Sequence, residues 1–192
     1  MVAPTYSLVD RLNMFATVNR RPGVAQQVVL ALLMLAAVTL IAVLGSMAGQ
    51  GNTDGWYAEV EKVSWSPPNS VFGPAWSFLY FLIALAGFLL WRKSWEIAAT
   101  ADSESMATAK TLFIIQLVLN GLWTPVFFAG YPHWGEAAWW AALVIIVLLV
   151  IVVLCLIFSA LRHSKAAGAL LVPYVLWLMF ATTLNAGIIL LN

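Results

Sequence analysis

The chain has 192 residues, enough for one compact domain, yet 63% of them are hydrophobic and 9% charged. Soluble domains sit at roughly half apolar and about a quarter charged. Nine Lys and Arg against eight Asp and Glu leave a net charge of +1. This excludes a soluble globular domain, a disordered chain, a nucleic-acid module and a disulfide scaffold, and leaves a polytopic membrane protein.

Residues 1–24 read as a polar cytoplasmic arm carrying Arg11, Arg20 and Arg21. Crossing the hydrocarbon layer as a helix takes about 20 apolar residues. Five such runs follow, at 25–47, 70–91, 111–130, 136–161 and 168–191, and their central parts hold no Asp, Glu, Lys, Arg or His. Stretches such as Ala142–Ile157 are apolar on every side and do not alternate as barrel strands would. The expected fold is therefore all-α, an integral membrane bundle of five transmembrane helices. Ser46-Met47-Ala48 has the small-x-small pattern of a signal cleavage site. The preceding run is too long for a signal core and follows a polar arm, so it reads as a span.

Eight of the nine basic side chains share one side: the arm, Arg92, Lys93 and Lys110 in the 92–110 loop, and Arg162 and Lys165 in the next. Lys62 alone lies opposite. This bias places the N-terminus in the cytoplasm and the C-terminus outside. The lone Cys155, deep in the fourth run, reads as an inert apolar core thiol.

Of the ten tryptophans, Trp91, Trp95, Trp134, Trp139 and Trp140 fall at run edges and fit an interfacial aromatic belt. Trp76, Trp123 and Trp177 fall inside runs. Gln116, Asn120, Trp123, Thr124 and Phe127 share one face of the third run; Pro173, Trp177, Ala181 and Asn185 share one of the fifth. In the second, Gly73, Trp76, Tyr80, Ala84 and Gly87 form a small-residue face broken by two aromatics. Carboxamides cannot be left facing lipid tails, so Gln116, Asn120 and Asn185 should turn inward. At 1.5 Å per residue, Trp76 lies about 9 Å, and Tyr80, Asn120 and Asn185 roughly 10–15 Å, below the outer surface. Above them hangs the longest outer connection, 48–69, with Trp56-Tyr57, Trp65 and Pro67-Pro68. It reads as a lid over a pocket. The same residues would also serve to bind helices together, and spacing alone leaves both readings open.

No catalytic constellation and no metal site are expected. His133 and His163 lie in connections, one cysteine and two separated histidines cannot complete a zinc shell, and no phosphate-binding glycine loop follows a strand. An ion carrier usually shows an intramembrane charge, and none is present. Asp54, Glu59, Glu61, Asp102 and Glu104 read as solvated loop residues. Gly45-x-x-x-Gly49 permits close helix contact but is a weak signal on its own. What remains suits a flat, largely apolar ligand stacked on indoles.

Three blocks carry a family resemblance. The first runs from Trp56-Tyr57 through Lys62 and Trp65-Ser66-Pro67-Pro68 to Phe72-Gly73-Pro74-Ala75-Trp76 and Leu79-Tyr80. The second is Gln116-Leu117, Leu119-Asn120 and Trp123-Thr124-Pro125-Val126-Phe127-Phe128. The third is Pro173-Tyr174, Trp177 and Phe180-Ala181-Thr182-Thr183-Leu184-Asn185. Together, over about residues 26–191, they resemble the TspO/MBR family of translocator proteins and tryptophan-rich sensory proteins. The resemblance implies a five-helix bundle, often a homodimer, whose pocket near one membrane face is covered by the first loop. It implies a porphyrin such as protoporphyrin IX or haem as ligand, with no obligatory cofactor, and a link to tetrapyrrole metabolism or stress. It places Trp76, Asn120, Trp177 and Ala181 at the pocket and Trp56, Trp65 and Pro67 in the lid.

With the residues read from spacing, the expected binding set is Trp76, Tyr80, Asn120, Trp123, Trp177, Ala181 and Asn185. The expected lid is Trp56, Tyr57, Trp65, Pro67 and Pro68. The expected function is a multi-pass cell-membrane receptor or sensor; a light-dependent porphyrin-degrading enzyme and a carrier are the alternatives. Two departures stand out. Val63 replaces a proline usual in the family, and the end of the fifth helix lacks the Tyr and basic residue of a sterol motif.

Overall fold

The computed structural model describes Ser7 and residues 22–97 and 102–192, so most of the arm expected at 1–24 lies outside the described residues. Among them, five helices are long and apolar enough to span a membrane. They are α1 (Val24–Gly49), α3 (Asn69–Ile97), α4 (Ser103–Thr124), α6 (Glu136–His163) and the pair α7 (Lys165–Leu170) and α8 (Val172–Leu191). Two short helices, α2 (Trp56–Glu59) and α5 (Tyr131–Trp134), lie in the two connections at the opposite end of the bundle from His163, here called the lid end.

Helices win throughout because a bilayer offers no hydrogen bonds, and only a helix satisfies its own backbone within one segment. They also run past the apolar stretches. The second continues to Ile97 and the third begins at Ser103, so Arg92, Lys93 and Lys110 sit on helical ends rather than in a long loop. Lys110 Nζ lies 5.9 Å from the Trp91 ring centre, and Lys93 pairs with Glu96 at 2.6 Å.

Prolines set the irregularities. Pro173 cannot offer an N–H to Ala169, and the fifth span breaks at Leu171 into α7 and α8. Ser164 caps α7 by accepting from the Ala167 N–H at 3.2 Å. Pro125 denies Gly121 its partner, and the next turn widens to π register, with Gly130 N–H donating to the Pro125 carbonyl at 3.0 Å. Gly135 turns the chain between α5 and α6 at φ +58°, where a side chain would be strained.

Around the ring the packing order is α1, α3, α8, α6, α4 and back to α1. The second and fifth spans are therefore neighbours, as are the first and third. The main core, with Ile83, Leu90, Phe113, Leu149, Leu156 and Tyr174, fills the middle and the end away from the lid. A smaller cluster of Tyr57, Phe127, Trp139, Ala142 and Ile188 lies at the lid end. α1 is the least embedded span: 11% of its most apolar stretch is buried, against 44% in the fifth. Cys155, expected in the core, instead lies on the outward face of α6, among side chains such as Ile151 and Phe158 that lipid would cover.

Gly87 marks where three spans meet. A Cβ there would stand 2.5 Å from Phe113 Cζ and 2.8 Å from Met34 Sδ. Overpacking of this kind costs about 1–3 kcal/mol. Gly87→Val is expected to lower the midpoint of thermal unfolding in detergent, whereas Gly23→Val, at a position with open space around it, should leave it within error.

Candidate functional site

A cavity of about 560 Å³ opens at the lid end, between α1, α3, α4 and α8 and beneath the first loop. Its walls come from five places. α3 contributes Phe72, Gly73, Trp76, Ser77 and Tyr80; the end of α4 and the π turn contribute Trp123, Thr124, Phe127 and Phe128. α8 contributes Trp177, Ala181, Leu184, Asn185 and Ile188, and α1 contributes Ala42, Gly45, Ser46 and Gly49, with Gln50 just past its end. Thr53 and Tyr57 form the roof, and Asn69 the rim.

Trp76 is the hub of the aromatic wall. Its ring centre lies 5.3 Å from Tyr80, 6.4 Å from Tyr174 and 6.5 Å from both Trp123 and Trp177. Trp123 in turn stacks on Phe127 at 5.6 Å and 19°. The π turn helps here, because it changes the angular step and lets Phe127 and Phe128 both reach the cavity from adjacent positions.

Carboxamides brace this wall from behind. Asn120 accepts from the Tyr80 hydroxyl at 3.1 Å and donates to the Tyr174 hydroxyl at 2.8 Å, tying α4 to α3 and α8. Asn185 donates to the Trp139 carbonyl at 3.1 Å, and its oxygen lies 3.4 Å from the Trp123 indole N–H. Gln116, one turn from Asn120, is fully buried with no hydrogen-bond partner among the described residues, as is the Trp177 indole N–H.

The roof is built from the loop's own aromatics. Phe128 would normally offer its carbonyl to residue 132, but that is Pro132 and has no N–H. The Trp56 indole N–H donates to it instead, at 3.2 Å, from 72 residues away. Trp56 then packs on Tyr131 at 4.4 Å and Trp139 at 5.6 Å. Tyr57, 6% exposed, turns over the cavity with the Lys62 ammonium 4.6 Å from its ring centre. Burial pushes the Tyr57 phenol above its ordinary value, and the Ser66 side chain pulls it partway back.

Of the residues singled out from sequence, Trp76, Tyr80, Trp123, Trp177, Ala181 and Asn185 line the cavity, as does Tyr57. Asn120 stands behind the wall rather than in it. Trp56 anchors the roof on α4 and α6. Trp65, 58% exposed, lies over α8 with its indole N–H 3.3 Å from Thr183 Oγ1. Pro67 and Pro68 do not reach the cavity; the Pro68 carbonyl accepts from Val71 at 3.0 Å as α3 begins.

Two contributions were missed. The α1 wall has a sequence signal, since Ala42, Gly45, Ser46 and Gly49 recur at helical spacing; Gly45 and Gly49 both line the cavity, and Gly45 also lies close to Thr124 of α4. Trp139 read as a belt residue, yet it is 2% exposed and stacked on Tyr131 at 4.4 Å and 5°. Trp134 and Trp140 are exposed as a belt requires.

Fold and site together define a five-helix membrane protein with an aromatic cavity roofed by its first loop. The sequence profile of the TspO/MBR family matches residues 20–191, and the chain belongs to that family. It is 41% identical to a tryptophan-rich protein TspO of Archaeoglobus fulgidus over 156 residues, 81% of this chain and 92% of that one. It is 33% identical to a tryptophan-rich sensory protein of Cereibacter sphaeroides, covering 81% and 90% of the two chains. With the human translocator protein it shares 32% identity over 77% and 83%.

Trp56→Phe keeps most of the ring packing but removes the indole N–H that donates to the Phe128 carbonyl. Leaving this part-buried acceptor without a donor costs up to about 1–3 kcal/mol. Hydrogen exchange should quicken at the amides of the 56–60 turn in Trp56→Phe; unchanged protection would show that the indole N–H does not hold the roof.

Proposed function

We propose that this protein is a membrane receptor or sensor that binds a porphyrin-like tetrapyrrole in the cavity beneath the first loop. The observation that carries the reading is the grouping of Trp76, Trp123 and Trp177 around one roofed space of about 560 Å³. Indole faces and Phe72, Phe127 and Phe128 suit a large flat apolar body. Polar groups are fewer than apolar ones: Ser46, Gln50, Thr53 and Asn69 toward the rim and roof, and Ser77, Tyr80, Thr124 and Asn185 on the walls, where they would orient a ligand carrying polar substituents. That distribution is the common pattern of small-molecule sites. Within the family, a relative named a tryptophan-rich sensory protein supports the sensing role.

The reading includes a cytoplasmic N-terminus, from the excess of Lys and Arg away from the lid end. It also includes assembly as a homodimer in the cell membrane, which the family resemblance implies.

One observation favours a second reading, light-driven porphyrin degradation. Trp76 lies within 6.5 Å, centre to centre, of Trp123 and Trp177, giving a chain of oxidisable rings beside the cavity. Illumination of the porphyrin complex in air would then produce a bilin-like absorbance faster than in a Trp76→Phe, Trp177→Phe variant.

The direct test is a titration with protoporphyrin IX followed by its Soret band. Ala181 is 3% exposed on the cavity wall, and Ala181→Phe would occupy part of the space. The dissociation constant should rise at least tenfold, about 1.4 kcal/mol. The Trp76→Phe, Trp177→Phe variant should lose most tryptophan quenching. Unaltered affinity in both would place the ligand elsewhere.

A further inference from the structure

The cavity is not sealed equally on all sides, and the difference bears on how a ligand reaches it. Five of its lining residues are exposed: Ser46, Gln50, Asn69, Gly73 and Ser77. All five belong to α1 and its end or to the first turns of α3. Every other wall residue is buried or half-buried.

The seam between these two helices is therefore where the space meets its surroundings. The exposed residues on it are small or polar: Ser46 and Gln50 from α1 and its end, and Asn69, Gly73 and Ser77 from α3. A Cβ on Gly73 would find nothing within 4 Å, whereas further down α3 a Cβ on Gly87 would collide with Met34 of α1. The two helices are in contact away from the lid and leave a gap toward it.

The gap is deeper than the headgroup layer. Ser77 lies eight residues beyond Asn69, about 12 Å along the helix axis at 1.5 Å per residue. Headgroup zones take up roughly 5–8 Å on each side of the hydrocarbon. With Asn69 at the headgroup level, Ser77 reaches acyl chains.

The roof, by contrast, is fastened on two sides. Trp56 bonds the Phe128 carbonyl on one. On the other, the Glu61 N–H donates to Asn192 Oδ1 at 2.9 Å, and Asn192 Nδ2 donates back to the Glu61 carbonyl at 3.1 Å. Between them Val63 rests against Gly187, where no side chain would fit.

We infer that the ligand passes between the lid-side half of the bilayer and the cavity sideways, through the seam between α1 and α3, while the first loop stays in place. The ligand class is thereby narrowed to molecules that dissolve in the membrane with a polar end at the headgroups. This rests on the cavity being the ligand site, and it adds the route. Guest and lipid exchange through a gap that no bulky side chain closes, so exchange should depend on the separation of two helices rather than on movement of the roof.

The experiment is a reversible tether in phosphatidylcholine nanodiscs, on a Cys155→Ala background, with protoporphyrin IX partitioned into the bilayer as probe. Ser46→Cys and Ser77→Cys are bridged by a bifunctional thiosulfonate, with a monofunctional reagent of equal length as the control for bulk. A second variant, Glu61→Cys with Asn192→Cys, bridges the roof to α8. Stopped-flow tryptophan quenching follows binding and release. Bridging the seam should slow both rates at least tenfold, and reduction of the tether should restore them. Bridging the roof should leave them within twofold. Equal rates before and after reduction of the seam tether, or slowing by the roof tether alone, overturn the route while the site stands. Absence of saturable quenching in the untethered protein overturns the site and the route together.

Discussion

Inside a bilayer a backbone polar group must find its partner within the protein, because an unanswered one has no water to turn to. At the lid end this requirement organises the molecule. Pro125 and Pro132 each remove an N–H that a carbonyl one turn earlier needs. The first loss is met by widening the helix to π register, which brings Phe127 and Phe128 to the cavity together. The second is met from outside, by the Trp56 indole. A defect in one span thus becomes the attachment point of the roof.

Carboxamides do the corresponding work between spans. Asn120 touches hydroxyls on two other helices, and Asn185 reaches a backbone carbonyl on a third. Individual bonds of this type contribute about 1 kcal/mol or less in membranes, so their value here is chiefly positional. They fix Tyr80 and Trp123 in the cavity wall and so shape a surface that apolar packing would leave free to slide. This is why residues that do not touch the space still belong to its construction.

The two ends of the bundle differ in purpose. Away from the lid, Gly87, Met34 and Phe113 bring three helices together and the core is filled. Toward the lid, small residues on α1 and α3 border the cavity, and Gly73 faces open space. The same small side chains that elsewhere permit close packing here leave room, and which outcome occurs depends on whether a partner helix is held near or far.

Much of the fold was legible in the chain itself. Charge-free apolar runs of span length dictate five helices, since no other hydrogen-bonding arrangement survives in lipid. Carboxamides at helical spacing mark inward faces for the same reason. The motif blocks around Trp76, Trp123 and Trp177 identified the family. What periodicity could not decide was the order of helices around the ring, because each span is apolar on more than one side and any neighbour satisfies it. For that reason Ala42, Gly45, Ser46 and Gly49 could not be assigned to the cavity, nor Trp139 moved from the belt to the interior, nor Cys155 turned from the core to the lipid. Local composition set which segments cross the membrane and which groups must be hidden; only tertiary contacts decided where the hidden groups meet, because burial in a bundle is a property of pairs of helices and not of any one of them.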